Sequence, residues 1–290
     1  MVITNEFKYF KPKTVTEAIN LLPKFGEKAK ILAGGTDLIV NLKEERQTPE
    51  AVIDIKGIEE LHEINFDNKR LFVGACVTFS DLIMSKIIKE KFNLLWLSAK
   101  SVASVGIRNR ATMVGNICSA VPSADSAPAL LVYETEIIAK KRAGERAIPI
   151  SEWFKGPKIS ALSDDEIVVG VSIDLPERVH AGTYEKLSRY KGEDLAQAGV
   201  GILAFEDLKY SVAFCAVGPI PKRSSRIENL LNGNEITDKL LQEAKDLILE
   251  EISPITDIRS SKEYRTHMCQ VMFVRGMRKV VSQIFGGQNA

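Results

Sequence analysis

The sequence has few of the residues that build metal centres. Its four cysteines are Cys76, Cys118, Cys215 and Cys269, and no two of them form a CxxC pair. The three histidines show neither HxH nor HExxH spacing. Because iron–sulfur clusters and zinc sites usually draw on closely spaced thiolates and imidazoles, the spacing argues against a metal or a cluster in this chain. Buried free thiols are the expected state of the cysteines.

The sequence also has no excess of charge and no long apolar run. Lys+Arg number 39 and Asp+Glu 38, which leaves a net charge of +1 and no field that favours nucleic acid or an anionic membrane. The apolar runs are far shorter than a membrane span. The first residues, MVITNEFKYFKPKTVTEA, lack the basic-then-apolar layout of a signal peptide. These features predict a cytoplasmic protein with neither nucleic acid nor membrane as a partner.

The common nucleotide and catalytic motifs are missing as well. No GxGxxG opens a helix after a strand, and no GK[ST] is present, which weakens an ordinary dinucleotide or nucleotide site. No nucleophile constellation stands out, so we predict no catalytic residue.

What is present is enough apolar sequence, 45% of 290 residues, to bury a substantial core. The pattern predicts an α+β protein with a boundary near residue 175. Strands are predicted at 29–33, 51–55, 70–78, 135–140, 166–173, 199–207 and 208–218. Helices are predicted from a capping box at Thr14 and Glu17, and at 80–89, 92–104, 224–231, 237–251 and 261–284.

Two stretches interrupt this apolar frame with small and polar residues. The first, ILAGGTDLIV (31–40), puts Gly34, Gly35, Thr36 and Asp37 directly after a predicted strand. Glycine permits the positive φ that curls consecutive N–H groups into an anion-binding concavity. Asp37 would repel a phosphate, so we expect it to cap the following turn instead. A plain structural turn remains the alternative.

The second stretch, TMVGNICSAVPSADSAPALL (112–131), is rich in Thr, Asn and Ser and contains Asp125 between two prolines. Such a segment suits the neutral part of a large ligand, and Asp125 is able to accept hydrogen bonds from a ribose diol. A surface loop tied by Ser and Asn turns is the alternative.

ILAGGTDL followed by IRNRATMVGNICSAVPSADSAPALL resembles the FAD-binding subunit of molybdenum hydroxylases, the family that includes the FAD subunit of xanthine dehydrogenase and the medium subunit of carbon monoxide dehydrogenase. The likeness continues in YEKLSRYKGEDLAQAGVG (184–201) and DIRSSKEYRTHM (257–268), and so covers nearly the whole chain. It implies a vanillyl-alcohol-oxidase-type FAD-binding fold. That fold would comprise α/β subdomains at 1–56 and 57–175 and a C-terminal domain of antiparallel sheet with helices at 176–290.

The resemblance also implies which residues contact non-covalently bound FAD. A first loop would wrap the pyrophosphate, a second would lie beside it, and single residues would contact other parts of the cofactor. The first loop consists of Lys30, Ile31, Leu32, Ala33, Gly34, Gly35, Thr36 and Asp37. The second consists of Thr112, Met113, Val114, Gly115 and Asn116, and the single residues are Asp125, Val168 and Lys186. Gly35→Val is then expected to abolish flavin retention while leaving the fold largely intact.

The sequence departs from the family pattern at two positions. The family usually has TxGGN, whereas Val114 replaces the first glycine here. A position that needs positive φ would suit valine poorly. Related sequences often have lysine directly after the aromatic residue of the YEK segment, whereas here Glu185 precedes Lys186.

By the same resemblance, the chain is a relay subunit. It would receive electrons on FAD from an iron–sulfur subunit, itself supplied by a molybdenum-cofactor subunit, and pass them to NAD+ or another acceptor. A self-contained flavin reductase is the first alternative. The second is a non-catalytic interaction or assembly protein that has lost FAD.

Overall fold

The computed structural model describes residues 3–190 and 194–286, so residues 191–193 of the 184–201 motif lie outside the described residues. The α-helices are α1 (Val15–Phe25), α2 (Leu38–Lys43), α3 (Phe79–Met84), α4 (Lys86–Lys91), α5 (Asn93–Ser101), α6 (Val105–Arg108), α7 (Met113–Cys118), α8 (Ala127–Val132), α9 (Ser225–Leu231), α10 (Asp238–Glu251) and α11 (Lys262–Phe285).

The strands form three larger sheets and a small two-stranded one. They are β1 (Lys8–Phe10), β2 (Ala29–Leu32), β3 (Ala51–Asp54), β4 (Ile64–Asp67), β5 (Arg70–Gly74), β6 (Glu136–Lys141), β7 (Gly144–Pro149), β8 (Phe154–Gly156), β9 (Ile159–Ser160), β10 (Ile167–Asp174), β11 (His180–Leu187), β12 (Ala198–Phe205), β13 (Tyr210–Cys215) and β14 (Lys222–Arg223).

The first sheet is parallel, in the order β1-β3-β2. Its crossover helix α1 begins as predicted, with the Thr14 side chain accepting a hydrogen bond from the N–H of Glu17 at 3.1 Å. One face of α1, which includes Ile19 and Leu22, is buried. Since parallel strands all point the same way, their carboxyl ends meet at one edge of the sheet, where ligands commonly bind in such sheets.

The second sheet is antiparallel, in the order β4-β5-β10-β6-β7. Two of the predicted helices beside it are shorter than expected. The helix expected at 80–89 divides at Ser85, which ends α3 and whose side chain caps α4 by accepting a hydrogen bond from Ile88 N–H. The helix expected at 92–104 ends at Ser101, because Val102 adopts an extended conformation.

The C-terminal sheet is antiparallel, in the order β11-β12-β13-β14, and both of its faces are covered. Helix α11 packs on one face, where a Cβ on Gly276 would lie 2.8 Å from the Ile202 side chain. Helix α8 packs on the other face, where a Cβ on Gly201 would lie 2.8 Å from Pro128. Tyr184 and Leu203 consequently belong to the same hydrophobic core as the buried residues of the second sheet. Among the residues that the structure describes, no helix combines the length and hydropathy needed to cross a membrane.

Candidate cofactor site

The first glycine segment lies at the carboxyl edge of the parallel sheet. Strand β2 ends at Leu32 and helix α2 begins at Leu38, so 33–37 form the turn between them. Within the described residues, the backbone N–H groups of 34–37 donate to no protein acceptor. Four consecutive free N–H groups, one of them on a glycine at φ 77°, form the kind of backbone that binds anions in a nest. This segment is suited to bind a phosphate or pyrophosphate.

Gly34 brings the second glycine segment against the first. A Cβ at this position would overlap the carbonyl group of Arg110 and lie 2.9 Å from Cα of Ala111. Only glycine permits this backbone contact, because any side chain would push the two segments apart. The residues that the sequence predicted for two separate loops therefore lie side by side.

Gly35 has a different requirement. Its φ of 77° lies in the left-handed region, and a Cβ there would lie 2.8 Å from Cδ1 of Leu32 and 3.3 Å from Cγ1 of Ile39. A β-branched residue is strongly disfavoured at such a φ. Gly35→Val would thus strain the fold itself, so the expectation that this substitution leaves the fold largely intact is wrong.

The side chain of Asp37 does not cap helix α2, contrary to the sequence-based expectation. Asp37 occupies the N-cap position with helical backbone angles and makes no side-chain cap hydrogen bond. Its carboxylate instead accepts a hydrogen bond from the Ser119 hydroxyl at 2.7 Å. This bond across 82 positions of sequence ties the first segment to the end of α7, and a local pattern does not reveal such a partner.

The second segment is not a loop at its predicted binding residues, but the start of helix α7. Thr112 is the N-cap, and its side chain accepts a hydrogen bond from Gly115 N–H at 3.0 Å. Val114 lies inside the helix, 3% exposed, so it has no positive φ to satisfy and its side chain fills the core. Valine therefore fits this backbone, and its presence is no sign of a lost site. Asn116, also in α7, accepts a hydrogen bond from the Ser126 hydroxyl at 2.6 Å.

The remaining residues of the first predicted loop, together with Val168, belong to strands or border them. Lys30, Ile31 and Leu32 form most of β2, and Ala33 follows it. Val168 lies in β10, is only 4% exposed, and belongs to the large hydrophobic core. Contact between Val168 and a flavin stays a prediction.

Asp125 and Lys186 meet in a buried ion pair. Their side chains are 7% and 9% exposed, and Lys186 Nζ lies 2.9 Å from Oδ2 of Asp125. The other carboxylate oxygen accepts a hydrogen bond from the Tyr184 hydroxyl at 2.8 Å. Burial raises the pKa of Asp125, although Lys186 and Tyr184 oppose the shift. Sequence reasoning missed Tyr184 as a partner, but the two-residue alternation along β11 puts it on the same face as Lys186 and could have revealed it.

Cys118, the cysteine nearest the predicted site in sequence, is a poor nucleophile. Burial raises the pKa of its thiol to about 12. Because the thiolate is the reactive form, this position does not favour a covalent link to a cofactor.

Two open grooves lie elsewhere on the surface. They have volumes of about 330 Å³ and 490 Å³ and are lined by residues of α10, α11 and the segments beside them. No predicted site residue lines either groove, so neither supports the cofactor site.

Comparison with known families agrees with this geometry. Residues 5–176 match the family described as "FAD binding domain in molybdopterin dehydrogenase", and residues 182–280 match the "CO dehydrogenase flavoprotein C-terminal domain". The chain therefore belongs to the family of FAD-binding subunits of molybdopterin-dependent dehydrogenases.

Its relatives give this class more detail. The putative xanthine dehydrogenase FAD-binding subunit XdhB of Escherichia coli K12 is 31% identical, over 95% of this chain and 94% of the relative. The carbon monoxide dehydrogenase medium chain of Hydrogenophaga pseudoflava is 30% identical, over 95% of this chain and 97% of the relative. The predicted membership of the xanthine and carbon monoxide dehydrogenase family is thus confirmed.

Solved structures show the same fold. The carbon monoxide dehydrogenase of Hydrogenophaga pseudoflava that lacks the Mo-pyranopterin moiety matches with a TM-score of 0.93 at 30% identity, over 97% of this chain and 99% of that chain. A cyanide-inactivated Cu,Mo-CO dehydrogenase matches with a TM-score of 0.92 at 27% identity and the same coverage. The predicted α+β fold, an FAD-binding domain followed by a C-terminal sheet domain, is confirmed.

Proposed function

We propose that this chain is the FAD-binding electron-transfer subunit of a molybdenum hydroxylase complex of the xanthine dehydrogenase type. The observation that carries the proposal is the run of four free backbone N–H groups at 34–37, next to the N-terminus of α7. Family membership gives this anion-binding geometry its ligand, the pyrophosphate of FAD. The proposal divides the chain at 1–56, 57–175 and 176–290, with one of the larger sheets in each unit.

The residues present fit FAD in distinct ways. The N–H groups of 34–37 would hold the pyrophosphate oxygens, and Thr36 adds a hydroxyl donor. Thr112 caps the first turn of α7 by accepting a hydrogen bond from Gly115 N–H. Non-covalent binding is proposed, and the poor nucleophilicity of Cys118 agrees with it.

Bound FAD would accept electrons and deliver them onward, while the protein holds the cofactor in place and excludes water. The partners in this proposal are an iron–sulfur subunit and a molybdenum-cofactor subunit. Two of the matching structures, a Cu,Mo-CO dehydrogenase and a carbon monoxide dehydrogenase that lacks the pyranopterin part of its molybdenum cofactor, support the molybdenum-cofactor partner. The iron–sulfur partner follows from the resemblance in sequence. NAD+ or another acceptor would take the electrons. The cytoplasmic location drawn from the sequence stays a prediction.

The substrate of the complex belongs to the partner in this proposal. The names of relatives mention xanthine, carbon monoxide, caffeine and nicotinate, while the matched chains align over nearly their whole length. A chain of conserved architecture alongside such different substrates is consistent with a relay that does not contact the substrate.

The test is the visible spectrum of the purified chain before and after addition of FAD or FMN, with the released cofactor identified by chromatography. We expect about one FAD per chain, lost on denaturation because it is not covalently attached. Pull-down with a tagged chain should recover the two partner subunits. If no flavin binds to the chain alone or to its assembled complex, the proposal fails and the assembly-protein alternative gains support. Steady NAD(P)H-dependent turnover of a substrate by the isolated chain would favour the self-contained reductase.

A further inference from the structure

We propose that Arg265 is a positioning residue of the cofactor site: its guanidinium group holds the backbone at two strand ends, one next to Lys186 and the other against the segment that carries Asp125. This inference rests on the proposed function, since both residues are assigned to FAD only there. Arg265 belongs to DIRSSKEYRTHM (257–268), the part of the family resemblance to which the proposed function gives no role.

The turn before helix α11 is closed around the carboxylate of Asp257. Arg259 donates its backbone N–H to one carboxylate oxygen at 2.9 Å and its guanidinium group to the other at 2.7 Å. The Ser261 side chain then caps α11 by accepting a hydrogen bond from Tyr264 N–H at 3.2 Å. These local bonds fix the start of the helix, and with it the place from which the Arg265 side chain extends.

The Arg265 side chain is buried, with 3% of its surface exposed. Its Nη2 donates to the Asp257 carboxylate at 2.6 Å, and its Nη1 to the carbonyl oxygens of Gln197 at 3.1 Å and Ala216 at 3.4 Å. Its Nε has no acceptor within the described residues. Because a guanidinium group is a rigid fork, these bonds fix three backbone segments relative to one another. A buried arginine with one unpaired N–H suits a residue that sets positions rather than one that adds stability.

The first carbonyl group leads to Lys186. Gln197 lies directly before β12, and its backbone N–H donates to the carbonyl oxygen of Leu187, the last residue of β11, at 2.9 Å. Leu187 follows Lys186 in the sequence, so the end of β11 carries both residues. A shift of Gln197 would therefore move the strand end from which Lys186 extends.

The second carbonyl group leads to the segment of Asp125. Ala216 directly follows β13, and its backbone N–H donates to the carbonyl oxygen of Pro122 at 2.7 Å. The φ of Ala216 is 62°, a left-handed conformation that alanine rarely adopts. Such strain persists where the surrounding contacts hold it. Here Pro122 holds the N–H of Ala216, and Arg265 holds its carbonyl oxygen.

The two series of bonds meet at one point of the candidate site. Lys186 Nζ lies 2.9 Å from Oδ2 of Asp125, and both side chains are less than a tenth exposed. The proposed function assigns both side chains to FAD, so Arg265 would set the positions at which they meet the cofactor. Coupling of this kind is measured with paired variants, because proximity alone does not establish it.

The experiment compares Arg265→Met with Ile248→Ala in the full chain. Ile248 of α10 is fully buried in the C-terminal core and belongs to neither series of bonds, so its truncation is the matched control for lost stability. Urea unfolding of the apoprotein measures the folding constant, and isothermal titration calorimetry measures the FAD dissociation constant. We expect both variants to lower the folding constant on the order of a hundredfold. Only Arg265→Met should weaken FAD binding, by about tenfold.

Ala216→Gly tests the series of bonds that passes through Ala216. Glycine adopts a positive φ without strain, so at this position it depends less on support from Arg265. Alone, Ala216→Gly should change the FAD dissociation constant by less than about twofold. In its presence, the loss of affinity caused by Arg265→Met should shrink from about tenfold to about threefold.

Amide hydrogen exchange of the apoprotein adds a readout that general destabilisation would not reproduce. Arg265→Met should speed exchange at 120–125 and at the end of β11 more than Ile248→Ala does. If Arg265→Met yields no folded protein, Arg265→Lys retains the charge. Its ammonium group is a point donor that cannot match the fork. This variant should show the same changes at about a third of the size.

Three results would overturn the inference. Equal FAD affinities of Arg265→Met and Ile248→Ala would leave Arg265 a purely structural residue. A loss of affinity as large in the Ala216→Gly background as without it would refute the route through Ala216. Weaker FAD binding without faster exchange at either segment would make Arg265 a contact of the cofactor rather than a positioning residue.

Failure of the wild-type chain to bind FAD would refute the proposed function and is distinguishable from failure of this inference. The exchange measurements use the apoprotein, so they would still decide whether Arg265 holds the end of β11 and the segment 120–125 in place.

Discussion

The two glycine segments look alike in sequence but satisfy their backbones differently. In the first, the N–H groups of 34–37 donate to no acceptor in the described parts of the chain. In the second, Thr112 caps a helix, so Gly115 N–H is paired and Val114 is buried. In the proposed function the first segment therefore offers its backbone to the cofactor, while the second mainly supports the first. The same pattern of small residues can thus be left unpaired or be paired within the protein, and the cap at Thr112 distinguishes the two segments.

Among the substitutions proposed here, Gly34→Ala is expected to disrupt the contact between the two glycine segments most severely. The added methyl group would overlap backbone atoms of Arg110 and Ala111, which cannot move as a side chain can. We expect the free energy of unfolding to fall by about 3 kcal/mol and FAD binding to be lost. Urea unfolding and a flavin titration measure both effects.

Gly57→Ala is the control for this change. The nearest atom to a Cβ on Gly57 is Lys13 Nζ at 3.7 Å, an ordinary contact, so we expect a change within about 0.5 kcal/mol. Equal stability of the two variants would show that the segments are not in backbone contact at Gly34.

The supporting role of the second segment is tested by Thr112→Ala. Loss of this cap should lower the free energy of unfolding by about 1 kcal/mol and weaken FAD binding, because the first turn of α7 lies beside the first segment. Thr237→Ala removes a comparable cap from α10 in the C-terminal domain. The control should lose similar stability with no change in FAD affinity, and equal FAD affinities in the two variants would contradict the assigned role.

Two substitutions at the hydrogen bond between Asp37 and Ser119 distinguish the effect of the Asp37 charge from the effect of the bond itself. Asp37→Asn keeps an acceptor for the Ser119 hydroxyl but removes a negative charge close to the expected phosphates, so FAD binding should tighten by about threefold at low salt. Ser119→Ala removes the bond and should weaken binding by about fivefold. Calorimetry at two salt concentrations checks both effects, because only the gain in Asp37→Asn should shrink at high salt. If both variants weaken binding equally, the charge of Asp37 has no part in it.

The smallest effect is expected from Cys118→Ala. A thiol with a pKa of about 12 is on the order of one ten-thousandth ionised at pH 8, so it neither alkylates readily nor links to flavin. Flavin content before denaturation, and its release afterwards, should equal those of the unmodified protein. Flavin retained on the denatured chain only when Cys118 is present would contradict this prediction.

Sequence periodicity predicted most elements, because their determinants are local. Helix α1 follows from the Thr14 cap and its apolar face, and the predicted strands at 29–33 and 51–55 are observed as β2 and β3. Errors arose where one residue serves two elements. Ser85 ends α3 and caps α4, which divides a pattern that reads as one continuous helix.

The candidate site was less predictable, because its side chains find partners far away in sequence. Asp37 bonds to Ser119, and Asp125 to Tyr184 and Lys186, across 82, 59 and 61 positions. The resemblance assigned these residues to the cofactor, and those assignments stay predictions. It could not show that Asp125 is engaged by the protein, since both local composition and family position favour a ligand contact.

A tryptophan attached to helix α7 should make cofactor binding visible by fluorescence. The indole N–H of the fully buried Trp153 donates to the carbonyl oxygen of Ile117, 2.9 Å away, so this ring is fixed to the helix beside the first glycine segment. Indole emission overlaps flavin absorption, and a ring held there would transfer its excitation energy to an arriving flavin. The other tryptophan, Trp96, lies in α5, and a Trp96→Phe variant would remove its indole at the loss of one hydrogen bond to the carbonyl oxygen of Ile83. In that variant Trp153 would be the single indole donor, and its fluorescence lifetime would report cofactor loading without any attached label.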